Sequence, residues 1–559
     1  MKEKVIVIGA VAAGTKSAAK ARRDNPDLEI TIFTEEKYIS YAGCGLPYYL
    51  SGVVKRREQL FARTPAYFKK IMNIGIFTEH HVSKINPDKK TVTVINLKDK
   101  KETEHCFDKL VIATGSKAIR PKIPGIDLKN IFQLKTVEDA IAIRELIESG
   151  KVKNVVIVGG GYIGLEAAEN LIEKDLNVAI VELKDQLIPS FDKDVALNVE
   201  KYLKEKGVKV FTQDQAIEFI GNSKDEVIKV KTKNNEFPAE LVLVAIGIFP
   251  NTKIAEEAGI ELGPTKAIKV NEKLQTNYPY IYAAGDCVET IQLVTGKPVW
   301  VPLGSTANKQ GRVVGANIAG GDERFSGILG TAIFKVFDWN IGITGLTERT
   351  AKNEGFDIES AIVPVNDKAH YYPGGKNINI KLIAEKKSGR VLGAQIWGEG
   401  TVDKAIDTIA TAITFKATVN DLLSLDLCYA PPYSPVLGPV IVVANVLQNK
   451  LQKKTEGILP LEVKEKFDKG ENFTFLDVRN PMEFIEGKIE PCTNIPIQNL
   501  ADNVNKLDPN SEIVTSCRVG NRAVTAYRLL KNKGFKKVKY MDGGIIAWPF
   551  ETKKTKDSS

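Results

Sequence analysis

The sequence predicts an α/β protein in which one open parallel-sheet domain is interrupted along the chain by a second domain of the same kind. Two glycine-rich turns, at residues 9–14 and 159–164, each follow a β-branched apolar run and precede a helical pattern. Three further strand-like runs end near Gly115, Gly247 and Asp286, in the order that two nested folds require. The predicted bounds are 1–116 with 248–325 for the first domain and 117–247 for the second.

Length and composition bound the remaining possibilities. A chain of 559 residues is too long for one core, so about three or four domains are expected. Hydrophobic residues make up 43% and charged residues 26%, which is typical of a globular protein, and no apolar run reaches the roughly 18–20 residues that span a membrane. The net charge of +9 is modest; it favours simple solubility over nucleic-acid binding and is compatible with an anionic small-molecule ligand.

The N-terminal residues and the cysteines indicate the compartment. The first residues pass straight into a strand and a glycine turn, without the pattern of a signal peptide, so we expect a cytoplasmic protein. No two cysteines form a C-x-x-C pair, and a reducing compartment argues against disulfides, so a working cysteine should act singly as a thiolate. Four histidines leave few ligands for zinc, and no metal site is expected. The cysteines are Cys44, Cys106, Cys287, Cys428, Cys492 and Cys517.

The first glycine-rich turn keeps the first and last glycines of the G-x-G-x-x-G pattern, Gly9 and Gly14, but Val11 occupies the middle position. In such a fold, an acidic residue at the end of the next strand holds a ribose hydroxyl. Here that strand is followed by Glu35 and Glu36. Glu35 is the candidate, and a solvated turn is the alternative.

The second glycine-rich turn is complete and is the stronger signal. Its glycines allow the backbone to approach a pyrophosphate, whose charge faces the N-terminus of the following helix. The next predicted strand ends at Glu182, whose carboxylate would accept a hydrogen bond from a ribose 2′-hydroxyl and repel a 2′-phosphate. NADH is therefore favoured, and Lys184 nearby leaves NADPH as the alternative. The residues expected against the dinucleotide are Gly159, Gly161, Tyr162, Ile163 and Gly164.

In combination, these motifs resemble those of the flavin-dependent pyridine nucleotide–disulfide oxidoreductases over residues 1–448. The first turn, the Ala-Thr-Gly115 turn and the Ala-Gly-Asp286 segment match that family's FAD site, and the second turn matches its NAD(P)H site. The resemblance implies FAD and NADH as cofactors and an α+β dimerisation domain over residues 326–448, so that the protein is a homodimer. The cofactor residues implied outside the second turn are Gly9, Gly14, Glu35, Thr114, Gly115, Gly247 and Asp286.

A single cysteine, Cys44, lies between two glycines at the start of a predicted helix. Two-cysteine members of the family carry a C-x4-C pair, which this chain lacks. The stretch instead resembles the single-cysteine branch, which contains coenzyme A disulfide reductases, persulfide reductases, NADH oxidases and NADH peroxidases. Oxidases and peroxidases of that branch keep a histidine in the first turn, where this chain has Val11 and Ala12. Gly43 replaces the usual asparagine, which favours a broader persulfide or polysulfide substrate over coenzyme A disulfide.

The same branch implies which residues would meet the substrate. Two tyrosines of the partner subunit, matched here by Tyr371 and Tyr429, would hydrogen-bond or protonate a leaving thiolate. Tyr372 and Tyr433 are the alternatives at these two positions, and packing at the dimer interface is the alternative role. The residues matched to coenzyme A contacts are Lys16, Lys20, Arg23 and Ser40, for which a solvated helix face is the alternative.

The last part of the chain carries a separate set of motifs behind a polar stretch, residues 449–460, which is expected to be a linker. An Asp-Val-Arg segment, a Cys-x-x-Gly-x-Arg loop and a Gly-Gly-x-x-x-Trp segment follow in order, and together they resemble an α/β rhodanese domain over residues 461–559. Backbone amides of the loop, with Arg518 and Arg522, would stabilise a thiolate or persulfide at Cys517. An inactive binding module is the alternative.

The combined expectation is an enzyme in which NADH reduces FAD and the flavin reduces Cys44. The Cys44 thiolate would attack a persulfide, polysulfide or disulfide of coenzyme A or a similar low-molecular-weight thiol, and reduction would release hydrogen sulfide. Cys517 would handle sulfane sulfur in a direction that the sequence leaves open. The alternatives are a coenzyme A disulfide reductase proper, a sulfur-carrier sulfurtransferase and an NADH peroxidase.

Overall fold

The computed structural model describes residues 2–554, so Met1 and residues 555–559, the end of the predicted rhodanese domain, lie outside the described residues. The chain divides into two compact units. The first contains the residues up to Asp185 together with Val208–Ile328, and the second contains Gln186–Gly207 together with the residues from Leu329 onward. Within residues 2–554, every helix is too short or too polar to cross a membrane.

The first unit opens with strands that are buried on both faces, which is why they are continuous apolar runs such as Val5–Ile8. A meander of three antiparallel strands follows the third parallel strand. The elements are β1 (Lys4–Ile8), α1 (Ala13–Asp24), β2 (Glu29–Phe33), α2 (Leu46–Ser51), α3 (Pro65–Met72), β3 (Gly75–Phe77), β4 (His80–Asn86), β5 (Thr91–Asn96), β6 (Glu102–Cys106), β7 (Lys109–Ile112) and β8 (Ser116–Ala118).

A second parallel sheet then begins and carries the complete glycine-rich turn between its first long strand and helix. One helix of this stretch, α6, is grouped with the second unit. The elements are β9 (Ile131–Phe132), α4 (Val137–Glu148), β10 (Asn154–Val158), α5 (Tyr162–Ile172), β11 (Asn177–Val181), α6 (Lys193–Glu205), β12 (Lys209–Phe211), β13 (Ala216–Gly221), β14 (Val227–Thr232), β15 (Glu236–Pro238) and β16 (Leu241–Val244).

The chain then returns to the first sheet, which confirms the predicted nesting of two dinucleotide-binding folds. The returning elements are β17 (Ile248–Pro250), α7 (Lys253–Glu257), β18 (Ile281–Ala283), β19 (Thr290–Ile291), β20 (Pro298–Val299) and α8 (Gly304–Ile318). The strand orders are β18-β7-β1-β2-β3 in the first sheet and β12-β11-β10-β16-β9 in the second. The carboxyl ends of β1, β7 and β18 therefore lie side by side, where open α/β sheets bind ligands.

Two glycines of α8 let it pack directly against α1. A Cβ at Gly311 would lie 2.6 Å from the Ala13 carbonyl oxygen, and one at Gly315 would lie 2.5 Å from the Ser17 carbonyl oxygen. Because the two glycines are four residues apart, they face the same side of α8. The close approach fixes α1, which follows the first glycine-rich turn, over the sheet.

The second unit contains an antiparallel sheet in the order β21-β22-β25-β24-β23. Its inner strand positions are almost entirely buried, as for Ile380, Leu382 and Trp397. The elements are β21 (Ala332–Val336), β22 (Trp339–Gly345), α9 (Glu348–Asn353), β23 (Ile358–Asn366), β24 (Asn377–Glu385), β25 (Val391–Gly398), α10 (Val402–Thr414), α11 (Val419–Leu423) and α12 (Pro439–Leu451). This sheet with its helices is the α+β domain that the sequence predicts.

A buried ion cluster explains why the segment Gln186–Gly207 belongs to the second unit, whereas the sequence places it within the domain 117–247. The Lys381 ammonium lies 2.7 Å from Asp194, 3.2 Å from Asp192 and 2.9 Å from Glu348. These carboxylates raise the pKa of Lys381 above its ordinary value despite complete burial. Such pairings join side chains that are far apart in sequence, so the boundary carries no local sequence signal.

The last part of the second unit is a five-stranded parallel sheet in the order β26-β30-β29-β27-β28. Its core is formed by apolar strand residues and by Trp548. The elements are β26 (Gly457–Ile458), α13 (Pro460–Asp468), β27 (Thr474–Asp477), α14 (Pro481–Glu486), β28 (Thr493–Asn494), α15 (Ile497–Leu500), β29 (Ile513–Ser516), α16 (Asn521–Asn532) and β30 (Val538–Met541).

The stretch 449–460, expected to be a linker, is mostly taken up by its two neighbours. Helix α12 continues to Leu451, β26 pairs with β30, and α13 starts at Pro460. Only residues 452–456 and Leu459 lie between regular elements. The polar composition was misleading because Lys450 is buried in an ion pair with Asp542 rather than solvated.

Candidate functional site

Cys44 lies in a single 3₁₀ turn, Gly43–Gly45, directly before α2, and its side chain is exposed. Backbone hydrogen bonds hold this segment on both sides. The Ser40 amide donates to the Ala10 carbonyl at 2.8 Å, and the Ala42 amide donates to the Leu60 carbonyl at 2.8 Å. The cysteine is therefore fixed next to the first glycine-rich turn. In this segment Ser40 has a left-handed φ of 48°, a conformation that is unfavourable for a residue with a side chain.

Two tyrosines on either side of Cys44 are hydrogen-bonded to carboxyl groups. Tyr41 bonds to Glu36, and the Tyr48 hydroxyl donates to Glu166 Oε1 at 3.3 Å. Burial raises the pKa of both carboxyls, that of Glu166 to about 7. Glu166 is on α5, the helix that follows the complete glycine-rich turn. The Tyr48–Glu166 bond thus links α5 to α2, the helix that directly follows Cys44.

The first glycine-rich turn requires its glycines. Gly9 has a φ of 105°, and a Cβ there would lie 2.1 Å from the Ala113 carbonyl oxygen. A Cβ at Gly14 would lie 2.0 Å from the Gly9 carbonyl oxygen. The turn therefore presses against the end of β7, and this closeness leaves no space for a side chain at either position.

The other residues predicted for the FAD site gather at the same edge of the sheet. The Thr114 hydroxyl donates to the Asn251 carbonyl at 2.7 Å, and Gly115 follows with a φ of 68°. The Asp286 carboxylate accepts a hydrogen bond from Ser116 at 3.0 Å. Glycine backbone, a hydroxyl and a carboxylate at the carboxyl ends of adjacent parallel strands fit a dinucleotide such as FAD.

The predicted ribose ligand, Glu35, is exposed and lies 2.9 Å from His81 Nδ1. Glu36, which the sequence does not distinguish from it, is partly buried and bonded to Tyr41. Both carboxylates follow β2 at the expected end of the sheet. The Glu35 carboxylate is therefore in contact with His81, a residue that no sequence pattern pointed to.

The complete glycine-rich turn shows the space that a pyrophosphate needs. Gly159 has a φ of 111°, and a Cβ there would lie 2.4 Å from the Ala245 carbonyl oxygen. A Cβ at Gly164 would lie 2.3 Å from the Gly159 carbonyl oxygen. At Gly161, by contrast, a Cβ would meet no atom of the described residues within 4 Å. The open position is at the N-terminus of α5, which suits an anionic group.

Glu182 is bonded to the backbone of the same turn. Its Oε2 accepts from the Gly160 amide at 2.7 Å and its Oε1 accepts from the Lys184 amide at 2.8 Å. The carboxylate is thereby fixed at the carboxyl end of β11, where a ribose would lie. Gly247, with a φ of 122°, follows β16 of the same sheet, and Ile163 is 39% exposed at the start of α5. Tyr162 is the first residue of that helix.

The lysines proposed for coenzyme A are on α1. Lys20 pairs with Asp24 at 2.6 Å, one turn further along the helix. The stems of Lys16 and Lys20 lie against the α8 glycines, since a Cβ at Gly311 would be 3.0 Å from Lys16 Cβ. Arg23 is exposed at the end of the helix. The two lysines are therefore partly buried against α8, and Arg23 is the exposed member of the set.

The two predicted tyrosine positions come together in the second unit. Tyr371 and Tyr429 are both exposed, and a hydrogen bond between their hydroxyls raises the pKa of Tyr429. The loops that carry them are joined by a bond from the Ala369 amide to the Pro431 carbonyl. The alternatives Tyr372 and Tyr433 are exposed nearby in sequence. The mutual contact favours Tyr371 and Tyr429 as a working pair.

Cys517 has a different environment, because it is buried at the base of its loop. The Gly520 amide donates to Cys517 Sγ at 3.1 Å. Arg522 faces the thiol, and its two terminal guanidinium nitrogens, Nη1 and Nη2, donate to the Glu483 carboxylate at 2.6 and 2.7 Å. The contact with Glu483 raises the pKa of Arg522. Arg518 is exposed. Glu483 was not predicted from the sequence, although it orients the arginine.

The Asp-Val-Arg motif is structural. The Arg479 guanidinium binds Asp477 at 2.6 Å and the Gly487 carbonyl at 2.7 Å, and both charged side chains are buried. Since these partners are on β27 and at the end of α14, the arginine ties the strand to the helix that carries Glu483. The motif also supports the strand that leads to the cysteine loop, because the Val478 amide donates to the Ser516 carbonyl at 2.9 Å.

Comparison with known proteins identifies the class. A family described as pyridine nucleotide-disulphide oxidoreductase matches residues 3–299, its dimerisation domain matches residues 331–440, and a rhodanese-like domain matches residues 459–550. The chain belongs to the pyridine nucleotide-disulphide oxidoreductase family and carries a C-terminal rhodanese-like domain. The predicted dependence on FAD and a pyridine nucleotide is thereby confirmed.

Several relatives are similar over most of the chain. A protein of Pyrococcus horikoshii named NAD(P)H coenzyme A polysulfide/persulfide reductase is 40% identical, covering 78% of this chain and 96% of its own. A Methanocaldococcus jannaschii protein named NADH oxidase is 39% identical, covering 77% of this chain and 95% of its own. The structure of a NAD-dependent persulfide reductase from A. fulgidus is 43% identical with a TM-score of 0.92, covering 98% of this chain and 100% of its own.

Proposed function

We propose that this protein is an FAD-dependent NAD(P)H oxidoreductase that reduces persulfides, polysulfides or disulfides of coenzyme A or related low-molecular-weight thiols. The observation that carries the proposal is the lone, exposed Cys44 on a flavoprotein scaffold whose chain also carries a second thiol at Cys517. A single cysteine cannot form an internal disulfide, so the second sulfur must come from the substrate. Relatives named for persulfide reduction support this reading.

The chemistry follows from one thiolate. Cys44 attacks the sulfur–sulfur bond of a persulfide, which forms a new S–S bond on Cys44 and releases one sulfur as thiolate or hydrosulfide. Bound FAD would supply the electron pair of NADH to that bond. Two electrons and the accompanying protons then regenerate the Cys44 thiolate and release the second sulfur as hydrogen sulfide or thiol. The net reaction converts a persulfide, NADH and one proton into a thiol, hydrogen sulfide and NAD⁺.

The other site residues have assigned parts in this proposal. Tyr371 and Tyr429 of one subunit would protonate the thiolate that leaves Cys44 of its partner in a homodimer. Lys16, Lys20, Arg23 and Ser40 would bind the charged part of coenzyme A. The residues proposed for FAD are Gly9, Gly14, Glu35, Thr114, Gly115 and Asp286, and those for the nicotinamide nucleotide are Gly159, Gly161, Tyr162, Ile163, Gly164, Glu182 and Gly247.

The nucleotide preference and the compartment are finer parts of the same proposal. The carboxylate of Glu182, bonded to the Gly160 amide, would accept from a 2′-hydroxyl and repel a 2′-phosphate, which favours NADH. All six cysteines are free thiols, as in a reducing compartment such as the cytoplasm. The proposed domains are residues 1–116 with 248–325 for FAD, 117–247 for NAD(H), 326–448 for dimerisation, 449–460 as the linker and 461–559 for the rhodanese part. Within the NAD(H) range, Gln186–Gly207 is grouped with the second compact unit.

Cys517 would carry sulfane sulfur as a persulfide. The thiolate accepts sulfur from a donor while the Gly520 amide and Arg522 stabilise the negative charge. Because Arg522 is oriented by Glu483, the charge is held in place before the sulfur arrives. The direction of transfer between Cys517 and small thiols is set by the supply of donor.

The test is NADH consumption and hydrogen sulfide release with coenzyme A persulfide, coenzyme A disulfide, polysulfide and hydrogen peroxide. Turnover with persulfide or polysulfide, accompanied by hydrogen sulfide, is the expected result. Turnover with coenzyme A disulfide alone would make the protein a disulfide reductase proper. Sulfur transfer without NADH consumption would make it a sulfur carrier.

An NADH oxidase or peroxidase is the second candidate, because one relative of 39% identity is named NADH oxidase. Val11 and Ala12 occupy the turn where a histidine would assist oxygen or peroxide chemistry. NADH consumption that depends on oxygen or peroxide and releases no hydrogen sulfide would favour this candidate over persulfide reduction.

A further inference from the structure

The segment from Asp542 to Trp548, here named the docking turn, forms the floor of the Cys517 loop. Gly544 has a φ of 56°, and a Cβ there would lie 2.4 Å from the Cys517 carbonyl oxygen. The Ile545 amide donates to that carbonyl at 2.9 Å, and the Ile546 amide donates to the Arg518 carbonyl at 3.2 Å. The backbone of the cysteine is therefore held by this turn.

The other side of the docking turn contacts the α+β domain. A Cβ at Gly543 would lie 3.2 Å from Ile362 of β23. The Asn198 side chain on α6 donates to the Ala547 carbonyl at 3.3 Å. The same short segment thus contacts the Cys517 loop on one side and two elements outside the rhodanese-like domain on the other.

A buried ion pair holds this contact. The Lys450 ammonium on α12 lies 2.8 Å from the Asp542 carboxylate, and their side chains are 5% and 0% exposed. Lys450 also lies 3.3 Å from Glu359 and donates to the Ser360 carbonyl. Removing Lys450 would leave the Asp542 carboxylate buried without its ammonium partner, which is far less favourable than removing both charges.

We propose that Lys450 is a positioning residue for Cys517, acting through the docking turn. With Asp542 bound to Lys450, the turn fixes the carbonyls of Cys517 and Arg518 and so sets the direction of the Gly520 amide toward the sulfur. The inference rests on the proposed role of Cys517 as a carrier of sulfane sulfur. It makes the α+β domain part of the support of the second thiol, through the backbone of the docking turn.

The test compares Lys450→Met with the double variant Lys450→Met/Asp542→Asn in the full-length holoenzyme. Lys454→Met, a change of an exposed lysine close by, is the control. Sulfur transfer from thiosulfate to cyanide is measured, in which sulfane sulfur moves to the Cys517 thiolate with release of sulfite and then to cyanide as thiocyanate. Hydrogen exchange of the amides at 543–548 and the rate of Cys517 alkylation are followed in the same samples.

Lys450→Met should lower the turnover number by roughly tenfold, as for a misplaced reacting group, with faster exchange at 543–548 and an altered alkylation rate. The double variant, which leaves no unpaired buried charge but also lacks the ion pair, should recover only part of the loss, and Lys454→Met should match wild type. Faster exchange with unchanged turnover and alkylation would overturn the proposal, as would unchanged behaviour in all three measurements. If Lys450→Met does not fold, Asn198→Ala, which removes the bond to Ala547, is held to the same expectations at smaller size. A wild-type protein without transfer activity would contradict the role of Cys517, while exchange and alkylation would still test the positioning.

Discussion

Cys44 and Cys517 differ in how much of each site their own surroundings provide. Cys44 is exposed, in a turn whose fixed neighbours are backbone groups and two tyrosine–carboxyl pairs. Cys517 is 1% exposed and already receives an amide hydrogen bond, with an oriented arginine beside it. In the proposed function, the Cys44 thiol receives electrons from FAD and meets a substrate and a partner subunit, and an accessible position suits that role. A thiol that carries one sulfur atom can be enclosed by its own loop.

The comparison also shows what each site depends on. The groups around Cys517 come from its own loop, from the start of α16 and from α14, all within the rhodanese-like domain. Lys450, from the α+β domain, is proposed to act on them only through the docking turn. The groups proposed for Cys44 come from the first helix, from both nucleotide-binding folds and from loops near Tyr371 and Tyr429. The Cys517 site should therefore respond to substitutions within the rhodanese-like domain and at the docking turn, and the Cys44 site should respond to changes spread over several domains.

The largest effect is expected from exchanging the two thiols separately. Cys44→Ser should lower NADH-dependent persulfide reduction by about three orders of magnitude or more, since it removes the nucleophile, and should leave thiosulfate-to-cyanide transfer intact. Cys517→Ser should abolish thiosulfate-to-cyanide transfer and leave NADH-dependent reduction of small persulfides intact. Cys106→Ser, which changes another exposed thiol, is the control. Loss of both activities in Cys44→Ser would mean that the sites are not separate.

The tyrosine pair provides the next test of the composite Cys44 site. Tyr371→Phe and Tyr429→Phe should each lower NADH-linked turnover by about a hundredfold, because each removes a proton donor to the leaving thiolate. Tyr433→Phe is the matched control on the same loop as Tyr429. Sulfur transfer at Cys517 should not change. If Tyr433→Phe were the slow variant instead, the choice between the two tyrosines would be reversed.

Arg522 tests whether Cys517 is completed locally. Arg522→Met should slow thiosulfate-to-cyanide transfer by roughly tenfold to a hundredfold, the range expected for one charged hydrogen bond. Glu483→Gln should have a smaller effect of the same sign, because the arginine remains but loses its orientation. Arg528→Met, on an exposed turn of the same helix, is the control. A reduced NADH-linked activity with small persulfides in Arg522→Met would show that the two sites are coupled, and unchanged sulfur transfer would contradict the role of Arg522.

The contrast between the two sites also explains what could be predicted from the sequence. The Cys517 loop is contiguous, so its cysteine, glycine and arginine are visible in a short motif. The glycines at 9, 14, 159 and 164 could be predicted because their neighbours' carbonyl oxygens leave no space for a side chain. In both cases the recognisable pattern is contiguous in sequence, although the carbonyl oxygens that exclude a side chain at Gly9 and Gly159 belong to Ala113 and Ala245.

The partners of long-range contacts could not be predicted. Tyr48 bonds to Glu166 and Lys450 to Asp542 across most of a domain, and neither carboxylate stands in a pattern that names its partner. The sequence around Lys450 predicts a polar linker because nothing in it indicates that Lys450 is buried against Asp542. The cluster around Lys381 likewise joins three distant segments, so the grouping of α6 with the second unit had no sequence signal.

Glu166, which accepts a hydrogen bond from Tyr48 of α2, should make the stability of the folded chain depend on pH. This is the smallest of the predicted effects, because it changes stability and not the reaction. Burial raises the pKa of Glu166 from the ordinary 4.5 to about 7. Between these values the folded chain binds the proton more tightly than the unfolded chain does. The stabilisation is therefore complete below pH 4.5 and is lost as the pH rises through about 7, with an upper limit of about 3 kcal/mol.

Glu166→Gln should remove this slope, because the amide is neutral at every pH. Melting temperatures measured from pH 5 to 8 should then fall less for the variant than for wild type. Tyr48→Phe, which removes the hydroxyl that bonds to Glu166 and keeps the carboxyl, should preserve the slope, since burial is the main cause of the shift. Equal slopes in wild type and Glu166→Gln would show that another group governs this pH range. A lost slope in Tyr48→Phe would assign the pH dependence to the hydrogen bond that joins the nucleotide helix to Cys44.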